Sequence, residues 1–345
     1  MTAAFLTNEI RVGIVTVGGV ARDVSIAPAG ASQAARAFVG RPAAEAADLA
    51  ERLFALCPMA QGAAAACAAA AAMGGPDAAA PDRLIRLTAE RIGENLRSGV
   101  MSWPLAAGAA GPDAPTLAAL RQALTALRAL GAGAPEAARQ LHTLAGALRT
   151  LGLAADAREG QGWFARVRRE AAADGARFPG GAGARRLTTA DDAAVFALLA
   201  QDAAITPLDG SGAPRAATTL ADLVDARSVD ILAAFDELTA RLAGREVATP
   251  AHTRREGDGH GLAAVESPRG RLYHQARVGA DGRVADWRIL SPTDWNFHPR
   301  GPFAATLAGA DIGFGRAAEL RVARLAALFD PCVALRARVR EAGDA

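Results

Sequence analysis

Apolar and polar positions alternate over "IRVGIVTVGGVARDVSIA" (10–27), with Gly18-Gly19 at the centre, and the alternation predicts a β-hairpin. From Arg41-Pro42 to about Leu242 the period lengthens to that of a helix. In "PDRLIRLTAERIGENLR" (81–97), Ile85, Ala89, Ile92 and Leu96 fall at spacings of four and three, one face of a helix. "TLAALRQALTALRAL" (116–130) and "PEAARQLHTLAGALRTLG" (135–152) predict a helical hairpin about "GAGA". "DDAAVFALLAQ" and "SVDILAAFDELTARLAG" continue the series. Two glycine-rich loops interrupt it, "FPGGAGARR" near Gly180 and "LDGSGAPRA" near Gly210.

The period then shortens again. Residues 260–292 predict three short strands, with turns at Pro268-Arg269-Gly270 and over 279–282. A last helical stretch, about Asp311 to Phe329, stops at Asp330-Pro331, and further helix is expected beyond it. The fold class expected is α+β and mainly helical, with small antiparallel β elements near both ends. It is read as one domain: a β-hairpin over 1–30, a helical body over 41–245, a β segment over 260–300 and C-terminal helices over 311–345.

Composition narrows the chemistry. Half of the 345 residues are apolar, much of that alanine, and aromatic residues are 5%, which suits closely packed helices. A formal charge of +2 does not suit an electrostatic nucleic-acid binder. Every basic residue is arginine, so neither a Schiff-base lysine nor a Walker-type phosphate loop is present. The opening residues carry no signal-peptide pattern, and the alanine run Met59–Gly75 reads as a buried helix rather than a membrane span. With only three cysteines, a disulfide framework is not expected, and the chain is read as cytoplasmic.

Two of those cysteines have matching contexts. Cys57 precedes Pro58 and the alanine run; Cys332 follows Pro331 and precedes "VALRARVREA". Proline favours the first position of a helix, so both thiols are expected at helix N-termini, where the dipole and unpaired amides favour thiolate. Thiolate is the form that binds metal. Cys67 is about 15 Å along the axis from Cys57 and reads as a small buried hydrophobe. Taken singly, Cys57 and Cys332 also read as inert; as a pair they become a candidate metal site.

The stretch "VESPRGRLYHQARVGADGRVADWRILSPTDWNFHPRG" (265–301) resembles the C-terminal half of nickel–iron hydrogenase large subunits. Pro268, Arg269, Gly270, Leu272 and His274 match one motif of that family; Pro292, Thr293, Trp295, Asn296, Pro299 and Arg300 match another. The hairpin, "FVGRP" and "RLFALCPMAQG" resemble the family's approach to its first metal motif. Each metal motif is halved: Cys57 and Cys332 remain, while their partner cysteines and both histidines are replaced. The resemblance therefore implies a shortened large-subunit fold, as in the accessory proteins of the HupK/HoxV type, with no nickel and no hydrogen activation. It further implies an iron unit, Fe(CN)2(CO), held transiently by Cys57 and Cys332. Arg269 and Thr293 match donors to the cyanides and Leu272 an apolar neighbour of the carbon monoxide; Pro268 belongs to the same turn. Cys332 matches a terminal nickel ligand rather than a bridge, which leaves the exact iron ligands open.

The partners implied are the large subunit itself and a HypC-type chaperone or other maturation protein, with no nucleic acid and no membrane. The role implied is a non-enzymatic scaffold that assembles, stores or protects the iron unit; a metal-free mimic that recruits maturation proteins is the alternative. A mononuclear iron redox enzyme is disfavoured, because no carboxylate–histidine set accompanies the thiols. Plainer readings accompany the residues themselves. Arg269 and Thr293 could serve as turn residues, His274 as a hydrogen-bonded strand histidine, and Trp295, Asn296 and Arg300 as scaffold. "HTRREGDGHG" (252–261), with His252 and His260, reads as a solvated loop rather than a metal loop.

Overall fold

The structure is a computed structural model that describes residues 9–27, 31–75, 80–107, 110–133, 135–153, 161–175, 177–179, 186–201, 218–247 and 251–343. The N-terminal alternation forms β1 (Glu9–Val17) and β2 (Val20–Ala27), antiparallel, with Gly18 and Gly19 both at positive φ in the turn. That conformation matches the twist of the two strands and is open to glycine without steric cost.

Helices α1 (Ala46–Leu53), α2 (Pro58–Met73) and α3 (Pro81–Ala107) follow, then α4 (Ala114–Gly131), α5 (Ala137–Thr150) and α6 (Trp163–Ala173). The apolar stripe of α3 buries Ile92 and Leu96 as expected, but the helix runs past Arg97 and through Pro104. Asp113 starts α4 by accepting the Thr116 amide at 2.9 Å. The loop near Gly210 lies outside the described residues, as does most of the one near Gly180. Between them stands α7 (Asp192–Ala200), and at the head of the loop near Gly180 is a two-residue strand, β3 (Arg177–Phe178). Its partner β4 (Thr218–Thr219) leads into α8 (Leu220–Leu242), which opens with a reciprocal Thr219–Asp222 capping box.

Strands β5 (Ala251–Gly257), β6 (His260–Ser267), β7 (Gly270–Val278) and β8 (Val284–Leu290) form one antiparallel sheet in sequence order. It has four strands where the sequence predicts three. "HTRREGDGHG" is not a solvated loop but β5, its turn and the start of β6. Pairing with β6 overrides the charge and glycine content, and Ala251 is buried. The alanine helix α2 lies across β6 and β7. Gly261 allows the approach, since a Cβ there would come within 2.2 Å of the Ala68 carbonyl oxygen.

After the short helices α9 (Pro292–Asn296) and α10 (Pro302–Leu307), α11 (Gly315–Phe329) packs against α3 and α8. The chain beyond it corrects the sequence expectation. Residues Ala334–Glu341 are a strand, β9, parallel to β1, so the first sheet runs β2-β1-β9 and is not purely antiparallel. The physical reason is visible in "LRARVR". Leu335, Ala337 and Val339 turn toward the core while Arg336, Arg338 and Arg340 face solvent. Alanine and arginine are strong helix formers, and they disguise this period of two. Among the described residues, no helix is long and apolar enough to cross a membrane.

Candidate metal centre

Cys57 is the N-cap of α2 with Pro58 behind it, as the sequence predicts. The unpaired amides of that helix end are already taken, however. Glu90, on α3, accepts the Met59 amide at 2.7 Å and the Ala60 amide at 3.0 Å. The favourable end of the helix dipole is occupied by a carboxylate and not by the thiol. Burial, reinforced by Glu90, pushes the Cys57 thiol up to about 12. Burial likewise pushes the Glu90 carboxyl up to about 7, despite its two amide donors. In the metal-free protein Cys57 is therefore a neutral thiol at physiological pH, contrary to the expectation from its helix position.

Cys332 is at no helix terminus. It follows the C-cap of α11, where Asp330 has φ 51°, the one described non-glycine residue at positive φ. This turn costs about 1–2 kcal/mol for a residue with a Cβ, and three arginines hold it. Arg269 Nε donates to the Asp330 carbonyl at 2.8 Å, while Arg227 Nη2 and Arg186 Nη2 donate to the Leu328 carbonyl at 2.8 and 3.0 Å. Cys332 then meets Thr293. The hydroxyl donates to Sγ at 3.2 Å and accepts the Cys332 amide at 3.2 Å. Burial raises the Cys332 thiol, and the Thr293 hydrogen bond partly counters that.

Arg269 links the two ends. It lies on the two-residue turn between β6 and β7, closed by Ser267 Oγ donating to the Gly270 carbonyl at 2.7 Å, with Gly270 at φ 122°. Its guanidinium is buried, and besides Asp330 it reaches the Leu56 carbonyl at 3.4 Å and Glu94 Oε2 at 3.3 Å. Each terminal nitrogen retains one further N–H. Its charge favours ionisation of both Cys57 and Cys332. Pro268 is buried in the same turn, and Leu272 belongs to the buried apolar cluster against which Cys57 packs. Thr293 stands in the first turn of α9, which Ser291 and Asp294 fix by a capping box.

Cys57 and Cys332 both feel the charge of Arg269, Thr293 is bonded to Cys332, Leu272 shares an apolar cluster with Cys57, and Pro268 is Arg269's neighbour in the turn. Asn296 bridges loops as read, donating to the Arg269 carbonyl at 3.4 Å. His274 is a hydrogen-bonded strand histidine, 2.8 Å from Gln61 Oε1 and accepting from Trp287 Nε1 at 3.3 Å. His252 and His260 stand apart from the site and from each other's partners, 2.6 Å from Asp192 and 2.9 Å from Gln275 respectively. Cys67 is buried inside α2.

Glu90, Glu94, Arg227 and Asp330 were not legible as site residues. One signal existed: two acids four apart on α3, a like-charge pair that an exposed helix gains nothing from. A groove of about 870 Å³ passes the site, lined by Leu56, Met59, Glu90, Glu94, Arg97 and Leu127 among others.

Among the described residues no three His, Cys, Asp or Glu side chains converge as metal ligands. Two thiols alone leave the shell of a metal ion to be completed by ligands from outside the protein, and the guanidinium and hydroxyl beside them are donors of the kind that meet anionic acceptors.

A family model described as nickel-dependent hydrogenase matches residues 209–336. In the reduced-state structure of the nickel–iron–selenium hydrogenase from D. vulgaris Hildenborough, the fold recurs with a TM-score of 0.57 at 13% identity, covering 92% of this chain and 95% of that one. The hydrogenase expression/formation protein HupK of Rhizobium leguminosarum bv. viciae is 37% identical, with 90% of each chain covered. That of Bradyrhizobium diazoefficiens is 33% identical, with 98% of each covered. With the large-subunit fold retained and the metal motifs halved, the chain belongs to the HupK family of hydrogenase expression/formation proteins.

Proposed function

We propose that this protein is a non-catalytic scaffold in hydrogenase maturation. It binds the Fe(CN)2(CO) unit as cargo and passes it to a nickel–iron hydrogenase large subunit, taking it from a HypC-type chaperone or another maturation protein in the cytoplasm. The observation that carries this reading is that Cys57 and Cys332, the latter bonded to Thr293, both feel the charge of Arg269, from four separate parts of the chain. Two soft thiolates would hold the iron. The two further N–H groups of Arg269 and the Thr293 hydroxyl would meet cyanide nitrogens, and Leu272 would give the carbon monoxide an apolar neighbour. A site that only holds its cargo needs no general acid or base, and nothing in this reading calls for turnover.

The test is infrared spectroscopy of protein purified anaerobically from cells expressing the hydrogenase maturation genes. Cyanide and carbon monoxide stretches are expected, and Cys57→Ala and Cys332→Ala should each abolish them while the fold persists. Full bands in both variants would overturn the scaffold.

One observation favours a second reading. The would-be cyanide donors already have protein acceptors, and burial keeps both thiols neutral. A metal-free mimic that recruits maturation partners would behave so. It requires that Cys57→Ala and Arg269→Ala leave hydrogenase maturation intact.

A further inference from the structure

Arg227, on α8, is buried to 8% exposure, yet its nearest acceptors are uncharged: Ser98 Oγ at 3.1 Å and the Leu328 carbonyl at 2.8 Å. Its closest carboxylate, Asp330, is 4.0 Å away and already lies 3.1 Å from Arg269. Glu94 is shared in the same way, between Arg269 at 3.3 Å and Arg97 at 2.8 Å. Within that distance three guanidiniums, Arg97, Arg227 and Arg269, therefore face two carboxylates. Glu90 lies nearby but is engaged by the amides of α2, and Asp230 acts on Arg227 from an exposed position.

A buried guanidinium without a carboxylate of its own is costly to keep. Holding the turn does not account for it, because Arg186 donates to the same Leu328 carbonyl. The surplus charge is what a buried anionic guest would neutralise.

We propose that Arg227 is the charge-selecting residue of the site. Together with Arg269 it leaves the Asp330–Cys332 turn with excess positive charge, which favours a cyanide-bearing iron on two thiolates over a bare divalent cation. This rests on the scaffold reading for the identity of the guest: once two thiol protons have left, the dicyanide iron adds two negative charges to the site where a bare divalent cation adds none. At an effective dielectric of about 20, a unit charge roughly 10 Å away changes affinity by about tenfold.

Two variants and two probes test it. Arg227→Gln keeps donors for Ser98 and Leu328 without the charge; Arg227→Lys keeps the charge. In anaerobically purified protein, the cyanide and carbon monoxide bands per chain should fall about tenfold in the Gln variant and stay within about threefold of wild type in the Lys variant. Zn²⁺ on two thiols displaces two protons and adds no net charge, so its affinity by calorimetry in metal-free protein should stay within about threefold of wild type in both variants. A purely structural arginine would weaken both probes together in Arg227→Gln. Equal loss of iron loading in both variants, or a Zn²⁺ affinity that falls as far as the iron loading in Arg227→Gln, would overturn the proposal. If wild type itself carries no such bands, the scaffold reading fails and takes charge selection with it, whereas bands in wild type with equal loss in the two variants overturn charge selection alone.

Discussion

Thr293 and Cys332, thirty-nine positions apart, exchange hydrogen bonds: the hydroxyl donates to the sulfur at 3.2 Å and accepts the cysteine amide at 3.2 Å. The first contact stabilises a thiolate, and the second fixes where the thiol stands. Thr293→Val removes both and leaves a partly buried amide unpaired, which should cost about 1–3 kcal/mol in stability. At a given pH, maleimide labelling of Cys332 followed by peptide mass spectrometry should slow in Thr293→Val and recover in Thr293→Ser. Equal labelling in all three proteins would show that the hydroxyl does not act on the sulfur.

Glu90 gives the metal-free protein an unusual dependence on pH. Its carboxyl is held at about 7, above the usual 4.5, mainly by burial. The folded state therefore binds more protons than the unfolded chain between these values. The contribution is full below about 4.5 and is lost as pH rises through about 7, at up to roughly 1 kcal/mol per pH unit. Urea melts across this window should show the decline in wild type, and Glu90→Gln should remove it. A slope that survives in the variant would assign it to another group.

His274 works in the opposite sense. Trp287 donates to Nδ1, so Nε2 carries the proton and donates to Gln61; burial depresses the imidazole to about 3. Protonating Nδ1 would set two donors against each other. Its contribution is intact above about 6.5 and is lost as pH falls toward 3, again at up to roughly 1 kcal/mol per pH unit. Chemical denaturation between pH 6.5 and 4 should show His274→Gln less stable than wild type at neutral pH and less sensitive to acid. Parallel profiles would contradict a neutral buried histidine.

The C-terminal strand predicts a pattern of period two. Val339 packs toward the core and Arg338 faces solvent. Val339→Asp should destabilise by about 1–3 kcal/mol, and Arg338→Asp should change stability by no more than about 0.5 kcal/mol. Thermal melts of the two variants distinguish β9 from the helix that composition suggests, because a helix would not alternate its tolerance residue by residue.

Periodicity along the chain determined the β1–β2 hairpin, the apolar face of α3 and the turn at Pro268-Arg269. Each depends on residues within one or two turns of one another, where side-chain spacing and proline or glycine geometry already decide the outcome. The motif residues also named Cys57, Cys332, Arg269, Leu272 and Thr293 before any contact between them was visible. The tertiary structure decided what those residues experience. Glu90 fills the helix end that Cys57 was expected to use, because α3 packs its acid pair against the start of α2. Ala334–Glu341 became a strand because β1 offered an unpaired edge, and ladder hydrogen bonds outweigh the helical preference of alanine and arginine. Arg227 reaches the Asp330 turn from α8 by donating to the carbonyl of Leu328, 101 positions on, whose place no local pattern encodes. Protonation, pairing and charge balance are set by burial and by distant partners, which is why they could be read only from the folded chain.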